Sequence, residues 1–537
     1  MRLNLLAASC VAACAAASGV ASAGASTGAP AGASAGASAG TAAGAANGAG
    51  ASATPPSFVF ILTDDQDVTL GGLDDMPFTN GLLRAGGTSF NNGLVTTPIC
   101  CPSRTALLSG QYGHNLAEQQ IDDWCGDFTG HPIENATWIT RLFENGYRTQ
   151  MSGKYHNAPP QAPHVPLGWT DWFSLNNECQ YYNNSFNDNG KTVVFGNKPS
   201  DYMTSLIGNR SLAFVRGALA DGAPFLAYVA PHASHMPTTV APWYENATIK
   251  TTRAPRTPQY NASGAGKHWV LADQPPIPLG GVLEAGIDEI FAARHRALLS
   301  VDDIVRELAA AVDAAGRMDS TFWIYASDHG YNLGTFRLPV EKFHMLESDI
   351  HVPFLVRGPG VPAGAASSLV VTQIDIGATI LDLAGLPPAA TPTDGRSFAQ
   401  ALGRPGPPTP GHRAAAGRDR SVIEYGRWGT GYIVRGACQL GCGECSAPLS
   451  RLVDAPSDTY SALRIVNATH DISYAEFSPN ASVPLAASST NWTEAYDLAA
   501  DPWQLRNLAL EPAFAPLMAQ LSSELWAVAA CKGAACP

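Results

Sequence analysis

The chain has 537 residues, of which 45% are hydrophobic and only 14% charged, so it is neither a charge-solvated disordered polymer nor too short for a large buried core. Its 32 basic and 45 acidic side chains leave a net charge of −13, and no basic run interrupts that balance, which excludes a general nucleic-acid binder. A local anion site stays open, because charges further apart than about 8 Å are screened at physiological salt.

Residues 1–23 read as a secretory signal: Met1-Arg2 is a positive start, Leu5 to Ala17 a short apolar run, and Ala21-Ser22-Ala23 a small-x-small cleavage site. That run is too short to span a bilayer, and no second apolar stretch of about 18 residues follows, so no membrane span is expected. Residues 24–56 form a Gly/Ala/Ser/Thr-rich linker with nothing to pack. Sequons such as Asn135-Ala-Thr, Asn246-Ala-Thr and Asn491-Trp-Thr agree with export and predict a glycoprotein. The expected destination is extracellular or the cell wall, with a lysosomal-type compartment on the same route.

Of the 11 cysteines, Cys10 and Cys14 leave with the signal, and the odd number that remains suggests one special thiol in an oxidising compartment. With Cys100 set aside, Cys101, Cys125, Cys179, Cys438, Cys442, Cys445, Cys531 and Cys536 can pair as disulfides. The Cys438, Cys442, Cys445 spacing also matches a radical iron–sulfur motif. In an exported chain, disulfides are the better reading.

From Ser57 onward, short apolar strands alternate with amphipathic segments, the pattern of an α/β domain with a largely parallel sheet. Ser57 to Thr63 is a β-rich apolar run that ends in Asp64-Asp65-Gln66-Asp67. Tyr147 to Met151 runs into Gly153-Lys154-Tyr155-His156, Phe225 to Ala230 into Pro231-His232 and His235, and Thr321 to Ser327 into Asp328-His329-Gly330. Open α/β sheets place ligands outside the carboxyl ends of their strands, so these polar ends are expected to meet in one crevice. Ala292 to Ala315 and Gln373 to Leu386 are expected covering helices, and Leu517 to Ala530 a terminal one. The Pro/Gly-rich stretch Gly403 to Gly411 closes a catalytic domain over residues 57–411, leaving a smaller domain over 412–537.

Cys100-Cys101-Pro102-Ser103-Arg104 opens a helix, with Pro102 in its first turn. Cys100 then sits at a helix N-terminus that favours an anion, and Arg104, one turn on, can fork onto a tetrahedral oxyanion. Only three residues separate the two, which excludes the Cys-x5-Arg loop of cysteine phosphatases.

Cys-x-Pro-Ser-Arg followed by Thr-Ala-Leu-Leu-Ser-Gly110 resembles the signature of the formylglycine-dependent sulfatases, and the double cysteine is similar to N-acetylglucosamine-6-sulfatases and algal arylsulfatases. Gln111 departs from it, since many members carry Arg or Lys there. The resemblance extends through Asp64-Asp65, Ser152-Gly-Lys-Tyr-His156, the His232/His235 segment, Asp328-His-Gly-Tyr331, Lys342 ahead of Pro353, and the Tyr496-Asp-Leu…Asp501-Pro…Asn507-Leu motif. It implies an alkaline-phosphatase-like sandwich with a large, mostly parallel sheet, plus a small C-terminal α+β domain with an antiparallel sheet.

The resemblance also implies the chemistry. A formylglycine-generating enzyme oxidises Cys100 to 3-oxoalanine (formylglycine) during export, and its hydrate offers two geminal hydroxyls. One attacks the sulfur of a sulfate monoester and expels the alcohol; deprotonating the other releases sulfate and restores the aldehyde, where plain Ser or Cys would be trapped. By the same resemblance Asp64, Asp65, Asp328 and His329 join position 100 around one Ca2+, although an imidazole suits Ca2+ less well than oxygen. Lys154 and Lys342 hold sulfate oxygens, Arg104 orients formylglycine, His156 is the base for release, and His235 contacts the sulfate near the leaving oxygen. His-x-Pro matches His235-Met236-Pro237 and favours His235 over His232. Either His235 or Lys342 protonates the leaving alkoxide.

A dication with Lys154, Lys342 and Arg104 against three aspartates leaves a positive crevice suited to a sulfate monoester of a small molecule or glycan. Two other readings stand beside it. One is a phosphonate or phosphate monoester hydrolase of the same fold; the other is a catalytically silent, secreted glycan-binding glycoprotein.

Overall fold

Strand β1 (Ser57–Thr63) is buried along its whole length, and its side chains divide between two cores. Phe58, Phe60 and Leu62 enter one apolar cluster, Val59 and Ile61 another, as the two-residue period of a strand requires. Such a strand needs cover on both faces, which explains its continuous apolar run. The computed structural model describes residues 55–117, 128–157, 161–176, 180–389, 392–426, 434–435, 451–479 and 486–537. The expected signal, most of the linker, and Cys125, Cys179, Cys438, Cys442 and Cys445 lie outside the described residues.

The strands after β1 are β2 (Thr88–Leu94), β3 (Arg148–Gly153), β4 (Asp171–Leu175), β5 (Ser185–Asp188), β6 (Lys191–Val194), β7 (Phe225–Ala230), β8 (Thr321–Ser327), β9 (Phe354–Arg357) and β10 (Ala365–Thr372). They form one ten-stranded sheet in the order β10-β2-β9-β8-β1-β7-β3-β4-β5-β6. The centre, β8-β1-β7-β3-β4, is parallel throughout, while β9 and the β5-β6 edge run antiparallel. One face is covered by α1 (Cys100–Ser109), α2 (Trp138–Glu144) and α5 (Asp375–Leu383), and the other by α3 (Met203–Asp221) and α4 (Val282–Ala314). This is the expected sandwich.

Helix α4 begins at Val282 rather than Ala292 because Leu283, Ile287 and Phe291 extend its buried stripe toward the N-terminus at helical spacing. A separate antiparallel sheet, β11-β14-β15-β16, is built from β11 (Arg420–Tyr425), β14 (Tyr460–Val466), β15 (Asp471–Phe477) and β16 (Trp492–Asp497); β12 (Val434–Arg435) pairs with β13 (Leu452–Asp454) beside it. Leu463 and Ile465 of β14 pack under the terminal helix α6 (Ala515–Val528), whereas Tyr460 and Ala462 face a cluster containing Phe336, Leu338, Phe343 and Ile350. Residues 336–350 follow β8, so the small sheet rests directly on the segment that leaves the carboxyl end of that central strand. Pro55–Pro537 forms one compact unit.

Candidate active site

Parallel register aligns the carboxyl ends of the central strands. Thr63 pairs with Ser327, and Gly153 with Ala230, so Asp64, Asp328, Lys154 and the His232 segment leave the sheet along one rim. Backbone bonds fix the exits: Asp328 N donates to Thr63 O at 3.1 Å, Ser234 N to Asp64 O at 2.9 Å, and Lys154 N to Ala230 O at 2.9 Å. Strand alternation alone would aim Asp64 and Asp65 to opposite sides. Asp65 instead adopts φ 63°, a left-handed conformation that Asp tolerates, and both carboxylates serve one site.

Helix α1 brings the fourth wall. Ile99 is extended (φ −152°, ψ 142°), the helix starts at Cys100 with Pro102 in its first turn, and Gly110 ends it at φ 70°. Every residue from Cys100 to Ser109 is buried. Cys100 carries a free thiol, whereas its neighbour Cys101 is disulfide-bonded. Cys531 and Cys536 form a second bridge, with an S–S distance of 2.01 Å.

Asp64, Asp65, Cys100 and His329 present ligand atoms that all lie within 4.8 Å of one another, all buried. Asp65 Oδ2 has no hydrogen-bond partner, as a carboxylate kept for a cation would not. His329 Nδ1 lies 2.9 Å from Gly330 O and Nε2 lies 3.2 Å from Cys100 Sγ, so a proton on Nδ1 leaves the Nε2 lone pair facing the cluster. Asp328 Oδ1 accepts from Asp65 N at 3.2 Å and lies 3.7 Å from His329 Nε2. Hard carboxylates with one imidazole and a position-100 donor fit a divalent cation.

Three buried cations balance the three aspartates. Lys154 Nζ is 2.7 Å from Asp64 Oδ2, and Lys342 Nζ is 3.0 Å from Asp65 Oδ1. Arg104 donates Nε to Asp328 Oδ2 at 2.9 Å and Nη1 to Lys154 O at 2.7 Å, and its Nη2 lies 3.3 Å from Asp64 Oδ2. The guanidinium fork thus grips two candidate metal ligands and one strand end, rather than standing open toward an incoming anion.

Burial drives the Asp64 carboxyl upward, but Lys154, with a hydrogen bond from His232 and the charge of Arg104, overcomes it and holds the group well below its ordinary range. The same contest at Asp65, won by Lys342, leaves it at about 2. Burial pushes the Cys100 thiol well up and Asp64 adds to that, so the helix N-terminus does not make it a thiolate.

His156 is buried, with Nε2 3.3 Å from Thr105 Oγ1 and Nδ1 without a hydrogen-bond partner; burial, Arg104 and Lys154 keep it neutral. His235 is also neutral through burial, and its Nδ1 is 2.7 Å from Met236 O. The sequence favours His235 over His232, but the fold gathers both. Their rings are 4.4 Å apart, and His232 Nδ1 is 3.5 Å from Asp64 Oδ2.

Arg294 escapes a motif-based reading. From α4 it donates Nη2 to Asp65 O and Nη1 to Ser234 O at 3.5 Å, and its guanidinium lies 4.4 Å from the Tyr331 ring. It therefore touches the loops after β1, β7 and β8. The available signal was a cation three residues beyond Phe291 and four before Leu298, on the buried stripe of a covering helix.

A buried donor cluster and matched cations outside the carboxyl ends of an alkaline-phosphatase-like sheet define a hydrolase of anionic esters. The sulfatase family model matches residues 56–386. The chain is 33% identical over 504 residues to N-acetylglucosamine-6-sulfatase of Homo sapiens, covering 90% of this chain and 86% of that one. It is 29% identical over 528 residues to arylsulfatase of Volvox carteri, covering 90% and 75%. A solved protein in complex with its substrate D-glucosamine-2-N,6-O-disulfate has TM-score 0.65 at 19% identity, over 88% of this chain and 97% of that one. Phosphonate monoester hydrolase from Silicibacter pomeroyi has TM-score 0.60 at 19% identity, over 87% and 94%. At that identity both show the fold alone. The chain belongs to the sulfatase family, and it is a sulfuric ester hydrolase.

Proposed function

We propose that the mature protein is an exported sulfatase that hydrolyses a sulfate monoester of an amino sugar, using formylglycine at position 100 and one Ca2+. The observation that carries this reading is the free, buried Cys100 at the start of α1, set among Asp64, Asp65 and His329 while Cys101 is disulfide-bonded. The amino-sugar ester rests on the likeness to N-acetylglucosamine-6-sulfatases. Export rests on the N-terminal segment and the sequons; among the described residues no helix is long and apolar enough to cross a membrane.

Asp64, Asp65, Asp328 and His329 would hold the cation, which when bound lowers the pKa of a nearby hydroxyl and neutralises charge on the ester. The formylglycine hydrate, made by a formylglycine-generating enzyme, supplies the nucleophilic hydroxyl and a second one for release. Lys154 and Lys342 bind the sulfate oxygens, and both are buried enough to be worth more than they would be in water. Arg104 orients Asp64 and Asp328. His156, held neutral, takes the proton for sulfate release, while His235, with His232 behind it, faces the leaving alcohol.

Peptide mass spectrometry across Cys100, on protein matured with the generating enzyme, tests this directly. Loss of the thiol with gain of an aldehyde, and nitrophenyl sulfate turnover abolished in Cys100→Ala, is the expected result. An intact thiol in fully active protein overturns it. Faster turnover of nitrophenyl phosphate or phosphonate than of the sulfate would assign the phosphonate or phosphate ester reading instead.

A further inference from the structure

Lys342 sits between two residues in an unusual backbone state: Glu341 has φ 88° and Phe343 φ 97°. Neither is glycine or asparagine, and side chains with a Cβ rarely adopt such angles unless the surroundings impose them. The strand-end loops supply some of the restraint. Asn332 N donates to Glu341 O at 2.8 Å, and His344 N to Asp349 Oδ2 at 2.9 Å.

The rest comes from the small antiparallel sheet. Tyr460, the first residue of β14, donates its hydroxyl to Phe343 O at 2.9 Å, and it is fully buried. Asp458, two residues earlier, lies 2.9 Å through Oδ2 from His344 Nδ1. The Phe343 ring packs 5.8 Å from Tyr425, which packs 5.9 Å from Tyr460. Both residues that follow Lys342 are therefore tied to the small sheet or its leading segment, while Lys342 Nζ reaches Asp65 at 3.0 Å on the opposite side.

We propose that Tyr460 and Asp458 are positioning residues for Lys342: the small sheet holds the loop in its strained form and so delivers the Lys342 ammonium to the sulfate. This rests on the reading of Lys342 as a sulfate ligand. A lysine stem has four rotatable carbons, so its ammonium is fixed only if the backbone at its root is fixed. The sheet is then part of the sulfate site, although it contributes no atom to it.

The test uses the mature full-length enzyme, nitrophenyl sulfate as substrate and inorganic sulfate as competitive inhibitor. Tyr460→Phe removes one hydroxyl, and Asp458→Asn is the second variant should the first fail to fold. Each is expected to raise KM and the sulfate inhibition constant together by about tenfold, the size of one buried hydrogen bond, with kcat changed less. Combined with Lys342→Met, Tyr460→Phe is expected to add nothing further to the sulfate inhibition constant, because its effect runs through the lysine. Folded variants with unchanged sulfate inhibition, or an additive effect in the double variant, overturn the proposal. If Lys342→Met itself leaves sulfate inhibition unchanged, the sulfate reading of Lys342 fails and takes the proposal with it.

Discussion

His329 Nε2 faces the Cys100 sulfur at 3.2 Å, with the opposite ring nitrogen 2.9 Å from Gly330 O. That carbonyl makes Nδ1 the protonated nitrogen, so Nε2 offers a lone pair where an oxygen donor would suit Ca2+ better. His329→Asn replaces the imidazole with an amide oxygen and is expected to tighten Ca2+ binding severalfold. His329→Ala is expected to weaken it at least tenfold. Titration calorimetry on chelated protein reads both; equal affinities in all three proteins would remove His329 from the donor set.

The Lys154–Asp64 and Lys342–Asp65 pairs predict how the protein behaves without its cation. Three aspartates remain matched by Arg104, Lys154 and Lys342, so chelation is expected to abolish turnover while leaving the circular dichroism spectrum intact. Lys154→Met breaks this balance by leaving one buried negative charge in excess, with Asp64 held by the longer 3.3 Å contact to Arg104, at a cost of roughly 3–5 kcal/mol. Saturating Ca2+ should recover part of that loss, since the excess negative charge makes the folded variant bind the cation more tightly than the parent does. Urea unfolding with and without Ca2+ measures the difference, and an equal loss in both conditions would refute the placement of Asp64 beside the cation.

What a sequence reader could reach here follows the range of the forces involved. Thr63 to Asp65 and Ser327 to His329 were legible because a buried strand must be apolar and its carboxyl end is where an open sheet binds ligands. Cys100 and Arg104 were legible because a helix start leaves a local mark in Pro102. The partners of Arg104 were not, since Asp64, Lys154 and Asp328 lie 40, 50 and 224 residues away and meet only through strand register. The sequence favoured His235 through His-x-Pro, but that His232 joins it beside Asp64 was not legible, for the same reason. The hold of Tyr460 on Phe343, across 117 residues, left no sequence mark at all.

Arg294 carries the clearest such long-range consequence. Its guanidinium serves the backbone carbonyls of Asp65 and Ser234 and lies over Tyr331, tying together the loops after β1, β7 and β8. Lysine cannot span these partners with one planar fork. Arg294→Lys is expected to fold, to weaken Ca2+ binding about tenfold, and to lower kcat/KM for nitrophenyl sulfate by a similar factor. Arg294→Met should cost more, roughly 2–4 kcal/mol of stability, by leaving buried carbonyls unpaired. Unchanged Ca2+ affinity in Arg294→Lys would reduce the residue to a packing role.

His344 makes the interface beneath Lys342 sensitive to pH. Burial disfavours its charged form, but Asp458 at 2.9 Å more than offsets this and raises it from 6.5 to about 9. His268, 3.7 Å from the other oxygen of Asp458, is the second imidazole there, and burial lowers it. Because the folded state binds the His344 proton more tightly than the unfolded chain, its contribution is complete below pH 6.5 and disappears as pH rises through 9. The shift corresponds to roughly 3 kcal/mol. Asp349, lifted by burial from 3.8 to about 8, acts in the same direction, since its proton too is lost on unfolding at neutral pH. Stability is therefore expected to fall between pH 6.5 and 9 in the parent protein. Asp458→Asn, which removes the strongest partner of the imidazolium, should be less stable at pH 6 and show a shallower fall. Urea midpoints at half-unit pH steps give both slopes, and parallel curves for the two proteins would exclude His344 as the group responsible.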